Sequence, residues 1–241
     1  MHGASINQSL SGEAYSVVRQ RILRGDLKLG QVISRRKLAE ELGMSFLPVS
    51  EALLRLEVEG LLESRPRAGT RVRIPTPEDV EGHFVVREAL ETQAARLFAQ
   101  TATADEKAEL LKLAIRLDSM LLEPESDRSH YLSLHEHLHR SIAGFARCQA
   151  LSEAIEQTHA LASTWMCVGN GVGHPPRRHQ ELMEALSAGD PELAVEVMRQ
   201  HITSSQQAAM ERLAPYFRLR NTNGVTYTRS KKKQTALLNG N

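Results

Sequence analysis

From Thr76 to Arg220 the chain holds no run of strict apolar–polar alternation, while helix-start chemistry recurs along it. A half-buried sheet needs a period of two and a helix needs the 3.6-residue return of its apolar face. This stretch is therefore read as an all-α bundle of about six helices. Thr76-Pro77-Glu78-Asp79 opens the first with an N-cap, Pro at the first helical position and acids at the positive end of the dipole. It is expected to run to about Gln100. Thr103 and Glu106 form a capping box for the next helix, which should stop before Pro124. Further helices are expected over Asp127–Phe145, Gln149–Met166, Pro175–Ala188 and Pro191–Phe217, with Asp190-Pro191-Glu192 repeating the cap, Pro, acid order. Gly169–Pro176 is expected to be a loose connection, and 221–241 a disordered basic tail.

The front of the chain reads differently. After a flexible start over residues 1–10, Ser11–Arg24 carries an apolar stripe of Tyr15, Val18, Ile22 and Leu23, and Gly25, Asp26 and Gly30 break it. Gln31–Ile33 is a short strand candidate. Ser34 caps a helix over Arg35–Leu42, Gly43 stops it, and Ser45 caps a third in which Val49, Ala52, Leu53 and Leu56 share a face. Leu61–Ser64 and Thr70–Arg73 are strand candidates joined by Arg65-Pro66-Arg67-Ala68-Gly69. Two helices across a tight turn followed by a basic hairpin make a winged helix-turn-helix over 11–74, with the bundle over 75–220. Its third helix would enter the major groove. The fold class is thus mainly α.

Charge supports that division. Residues 1–74 hold twelve Lys/Arg against eight Asp/Glu, net +4, whereas residues 75–220 hold fourteen against twenty-one, net −7. A basic front on an acidic body fits a polyanion-binding module attached to something of another kind. The two cysteines exclude a disulfide scaffold. No apolar run approaches the ~20 residues that span a bilayer, and the first ten residues lack a signal-peptide pattern. A cytoplasmic protein is expected.

Ten histidines punctuate the chain. His135 and His139 are four residues apart, flanked by Tyr131, Leu138 and Ile142, so they project inward from one helix face. His179 shares a stripe with Leu182, Met183 and Leu186, and His201 follows Ala194, Val197 and Met198. Imidazoles aimed at an apolar interior need partners for their ring nitrogens, and a divalent metal supplies one to several at once. Zn suits such a set best, with Ni, Cu or Fe as alternatives. His83, His130, His137, His159 and His174 have no matching placement and are read as ordinary residues. His135-Glu136-x-x-His139 also satisfies the zinc-peptidase pattern H-E-x-x-H. That makes a metal-dependent hydrolase the rival reading, although no strand is expected beside the motif.

Ile22-Leu23-Arg24-Gly25-Asp26-Leu27, Arg36-Lys37-Leu38-Ala39-Glu40, Pro48-Val49 with Glu51-Ala52-Leu53, and Leu56-Glu57-Val58-Glu59-Gly60-Leu61 resemble the GntR winged-helix regulators. Val86-Arg87-Glu88-Ala89-Leu90-Glu91, Leu138-His139, His179 and Gly189-Asp190 through His201 resemble the FCD effector domain of their FadR-type branch. The resemblance spans about residues 11–215. It implies a homodimeric transcription regulator, a repressor, on a palindromic double-stranded DNA operator, not an enzyme, answering to a small carboxylate effector. Arg36 matches a family DNA contact. Phe46 and Ser50 stand where the family has guanine-reading arginines, and a phenyl ring can pack only on a thymine methyl. Arg35, Ser45, Arg55, Arg67, Gly69 and Arg71 complete the expected DNA face. His139, His179 and His201 match the family's metal-binding histidines, while His135 stands where its Asp is expected. Four neutral ligands would leave the ion's charge uncompensated. Arg87 matches an arginine that binds effector carboxylate, and a bridge to a bundle Glu is its other role. A metal-free regulator with an acyl or lipid-like effector is the remaining alternative.

Overall fold

Caps and glycines set the element boundaries in the computed structural model, which describes residues 9–65, 69–122, 128–166 and 177–222. The Ser9 hydroxyl accepts from the Gly12 N–H at the start of α1 (Leu10–Arg24), one residue earlier than the sequence predicts. Strand β1 is only Val32–Ile33. Ser34 accepts from the Lys37 N–H and starts α2 (Arg35–Leu42), and Gly43 ends it with φ 62°, a left-handed conformation that is cheap only without a Cβ. The chain re-enters helix at α3 (Phe46–Val58). Ser45 holds the N-cap position there but makes no side-chain cap bond, against expectation.

The wing is β2 (Leu62–Arg65) paired antiparallel with β3 (Gly69–Val72), each shifted by one residue from the predicted ranges. Glu63 faces Arg71 and Ser64 faces Thr70 across this ladder. β1 adds to the free edge of β3, giving the order β1-β3-β2. α1, α2, α3 and this sheet enclose an apolar core that includes Val18, Ile22, Val49, Leu53, Leu56 and Val72.

Thr76 caps the next helix as predicted, and Asp79 turns the cap into a full capping box: Thr76 accepts from the Asp79 N–H while Asp79 accepts from the Thr76 N–H. Asp79 also receives Arg73 at 2.8 Å, tying the end of the wing to the bundle's first helix. The bundle comprises α4 (Pro77–Thr101), α5 (Ala104–Leu122), α6 (Arg128–Phe145), α7 (Gln149–Met166), α8 (Arg178–Ser187) and α9 (Pro191–Thr222). Among the described residues it contains no strand. The expected α8 start at Pro175, the loop Gly169–Pro176 and the tail beyond Thr222 lie outside the described residues. α9 runs past the predicted Phe217 end, so the first two residues assigned to the tail are helical. Pro215 sits inside it and removes one backbone bond, but buried Leu213 before it and core-packed Tyr216 and Phe217 after it hold the helix on both sides.

α4 and α9 form the main pair of the bundle, and Phe84, Phe98, Leu117, Leu138, Ile142, Met183 and Leu213 fill the space they bound. The head is docked on this bundle. Leu23 of α1 is buried within the bundle's own cluster, and Leu29 and Leu161 touch both cores. Arg19 Nη2 reaches Glu136 Oε2 of α6 at 2.6 Å. No described helix is long and apolar enough to cross a membrane.

Candidate metal centre and nucleic-acid interface

The i, i+4 spacing of α6 sets the rings of His135 and His139 side by side, tilted, with centroids 4.6 Å apart. α9 brings His201 to 5.2 Å from His139, and the second residue of α8, His179, lies 5.2 Å from His135 and 5.5 Å from His201. All four are buried. In His135, His139 and His201 one ring nitrogen from each lies within 4.8 Å of the others. His179 sits just outside that tightest group and completes a four-ring cage.

Two carboxylates fix the rings. A carboxylate only accepts, so the Nδ1–H of His139 donates to Glu91 Oε2 and the Nδ1–H of His179 to Asp118 Oδ1, both at 2.6 Å. That tautomer turns each Nε2 lone pair away from the carboxylate, the arrangement that orients metal-binding imidazoles. Asp118 also accepts the backbone N–H groups of His179 and Gln180, so one side chain both caps α8 and sets its histidine. Burial pushes the Asp118 carboxyl up, but the bonds from His179 and Gln180 outweigh it and hold the group below its ordinary value.

Burial drives the His135 and His201 pKa values well below the usual imidazole range, with nearby histidines and Arg178 adding to the effect. His179 is lowered chiefly by burial, against the opposing pull of Asp118. These rings are neutral at physiological pH. The Nε2 atoms of His135, His179 and His201 are buried and have no hydrogen-bond partner. Such orphaned acceptors are costly unless something binds them. The donor set, imidazole nitrogens backed by carboxylates, fits a borderline divalent ion such as Zn. Glu91 and Asp118 stand directly behind two of the rings, so the ion's charge would have counter-charge, contrary to the expectation from ligand type alone.

Arg87 of α4 is 1% exposed, and its Nε donates to Glu91 Oε1 at 2.6 Å. Of the two roles read from the sequence, the bridge to a bundle glutamate is present, and the Nη2 of the same guanidinium is buried without a partner. Tyr131 lies over His135 with centroids 5.9 Å apart, and its hydroxyl is likewise unpartnered. Burial, with Asp118 adding to it, pushes that phenol up to about 12. Arg178 donates to the His201 carbonyl and to Ser205 Oγ. Glu91, Asp118, Tyr131 and Arg178 were not among the residues singled out from sequence. Glu91 had a signal as the i+4 partner of Arg87, and Asp118 had one as an acid on the buried face of α5.

Glu136 occupies a different face of α6 from His135 and His139. It pairs with Arg19 of the head and lies 3.8 Å from Arg140. The peptidase reading requires this carboxylate at the metal, so the geometry overturns it. Among the other histidines, His137 is exposed and His130 Nε2 lies 3.1 Å from Arg116. The side chains of His159 and His174 lie outside the described residues. His83 is less ordinary than expected: its ring packs edge-on against Trp165 at 5.0 Å, and burial lowers its pKa to about 4.

On the head, Arg36 and Phe46 are exposed near the Gly43 turn. Arg35 Nη2 holds Thr70 of the wing at 3.1 Å, and Arg71 is paired with Glu63 at 2.6 Å. Gly69 opens β3 with φ 77°, and Arg67 lies outside the described residues. Ser50 has a covered hydroxyl without a partner. Arg55 belongs to the C-terminal part of α3. It lies over the Tyr15 ring at 4.0 Å, pairs with Glu59 at 3.1 Å, and lines the cleft of about 890 Å³ between head and bundle.

Comparisons with known proteins agree with this division. Residues 10–72 match the family model described as bacterial regulatory proteins, gntR family, and residues 83–204 match the FCD domain. The chain is 29% identical over 199 residues to the "Probable D-xylose utilization operon transcriptional repressor" of Paenarthrobacter nicotinovorans, covering 81% of this chain and 87% of that protein. It is 22% identical over 209 residues to the HTH-type transcriptional repressor RspR of Escherichia coli, covering 85% and 90%. The solved structure of Escherichia coli McbR/YncC superposes with a TM-score of 0.67 at 23% identity, over 84% of this chain and 98% of that one, a likeness of fold.

Proposed function

This chain belongs to the GntR family of bacterial regulatory proteins and carries an FCD domain, and on that premise we propose a homodimeric repressor whose hold on a palindromic operator is set by a small organic acid in its bundle. It is a transcriptional regulator, not an enzyme. The similarity to two proteins titled repressors supports the direction of control. α3 would lie in the major groove, with Arg36 and the wing on the backbone and two heads reading half-sites related by the dimer axis.

The observation that carries the sensor half is the set of orphaned Nε2 atoms at His135, His179 and His201, with His139 beside them and carboxylates fixing two of the rings. His135, His139, His179 and His201 would hold a divalent ion, Zn by donor type, and the ion would supply a Lewis-acidic point for an effector oxygen. Arg87 would hold the carboxylate through its uncommitted Nη2, with Tyr131 donating its phenolic hydrogen alongside. An acyl effector would want an apolar lining, and the groups around His135 are imidazole, guanidinium and phenol instead. Control then requires differential affinity: the effector must favour a head spacing that no longer fits both half-sites.

Elemental analysis of the intact protein together with operator titration tests this. About one equivalent of metal is expected in the wild type and under about a tenth in His201→Ala, since removing one of the few protein ligands cripples a site of this kind. Among mono- and dicarboxylates, at least one should weaken binding to the upstream intergenic duplex by about tenfold, a typical allosteric coupling. Unchanged operator affinity across the whole panel would sink the sensor reading.

A further inference from the structure

Phe46 and Leu47, the first two residues of α3, are 56% and 66% exposed. They are consecutive on the helix, so their side chains diverge by about 100° and form a blunt apolar tip rather than one edge of a buried stripe. The head's core is filled from the opposite face by Val49, Ala52, Leu53 and Leu56, so the fold does not use this tip. Exposed Arg36 stands on α2, across the Gly43 turn, while the wing arginines Arg65 and Arg71 are both paired with Glu63. Leu54 and Val58 are also exposed on α3, but they lie toward its other end, where Val58 lines the cleft against the bundle.

An apolar tip beside an exposed cation on the preceding helix does not suit another apolar protein surface, whose approach would strand that charge. It does suit a polyanion that presents apolar points between its phosphates. In the major groove of a DNA duplex the apolar group on the base edges is the thymine 5-methyl. We propose that Phe46 and Leu47 set operator sequence by packing on thymine methyl groups, so that this regulator reads methyls where an arginine tip would read guanine. The inference rests on the operator-binding reading above and adds the chemistry that selects the sequence.

The test uses the full-length protein. Duplexes are selected from a random library, and each thymine of a selected duplex is then replaced by deoxyuridine, which deletes the methyl and leaves the Watson–Crick edge intact. At fixed salt, replacement at one or two positions per half-site should weaken wild-type binding by about fourfold per methyl, the value of one buried carbon. A Phe46→Ser, Leu47→Ser double variant changes only exposed side chains. It should bind the thymine and deoxyuridine duplexes equally, while circular dichroism remains that of the wild type. Wild-type affinity indifferent to every replacement overturns the proposal and leaves operator binding standing. Full methyl sensitivity retained by the double variant overturns it as well. Failure to select any duplex overturns both this proposal and the operator reading.

Discussion

In the head, the interior from Ala14 to Val72 is apolar, and Thr70 is the one buried polar residue among those described there. In the bundle, an apolar cluster surrounds four histidines, Arg87, Arg178, Arg212, Glu91, Asp118 and Ser205, all buried. The head turns its cations outward and keeps its core for cohesion. The bundle does the reverse, and buried charge is a poor way to gain stability, because desolvation offsets most of the Coulombic attraction. Such an interior is explained by what it can bind. The contrast teaches where each region's function lies: on the surface of one and at the centre of the other.

The largest test of that contrast is Arg87→Ala. It leaves Glu91 buried without its guanidinium and should cost about 3–5 kcal/mol in urea unfolding. An ordinary core truncation in the head, Leu53→Ala, should cost about 2–5 kcal/mol through lost packing alone. The two are distinguished by repair: Arg87→Met combined with Glu91→Met should recover part of the loss, because an apolar pair removes the stranded charge while the His139 Nδ1–H loses its acceptor. A cost below about 1 kcal/mol for Arg87→Ala would mean that the bundle's buried charges are better hydrated than their burial implies.

Acid provides the next test. His83 has a folded pKa of about 4 against an ordinary 6.5, so the unfolded chain binds the extra proton between these values. Its contribution is fully present above pH 6.5 and is lost as pH falls toward 4, by up to about 3 kcal/mol. His83→Gln should flatten that part of the stability–pH curve measured by denaturant midpoints at pH 7.5, 6 and 5. The head has no histidine between residues 9 and 74, so its stability should be level over the upper part of the same window. A wild-type curve superimposable on that of His83→Gln would refute the buried neutral imidazole.

The smallest effect lies at the seam. Arg19 and Glu136 are partly exposed, with side chains 21% and 15% accessible, so a double-mutant cycle with Arg19→Ala and Glu136→Ala should give a coupling of about 0.5–1 kcal/mol. Zero coupling would leave Leu23, Leu29, Leu161 and the Arg73–Asp79 pair among the contacts that hold the two regions together.

The fold was largely legible because its determinants are local. Gly43, Thr76-Pro77 and Thr103 with Glu106 act within a few residues of themselves, and the helix boundaries follow them closely. Differences fall where tertiary packing outweighs a local signal. The helix read as ending at Phe217 continues to Thr222, with Pro215 inside it and Tyr216 and Phe217 packed on the core. Arg55 reads as a phosphate contact in sequence, and the structure adds Tyr15, from another helix, beneath its guanidinium.

The inward faces of His135, His139, His179 and His201 were determined by the sequence itself, since the 3.6-residue period assigns each residue to a face of its own helix. Only the tertiary structure decided that these faces meet, that Glu91 and Asp118 fix two of the rings, and that Glu136 turns to the head instead. Periodicity is a property of one helix, whereas convergence depends on how α4, α5, α6, α8 and α9 are packed. That packing is a sum over contacts between residues far apart in the chain, and no local pattern encodes it.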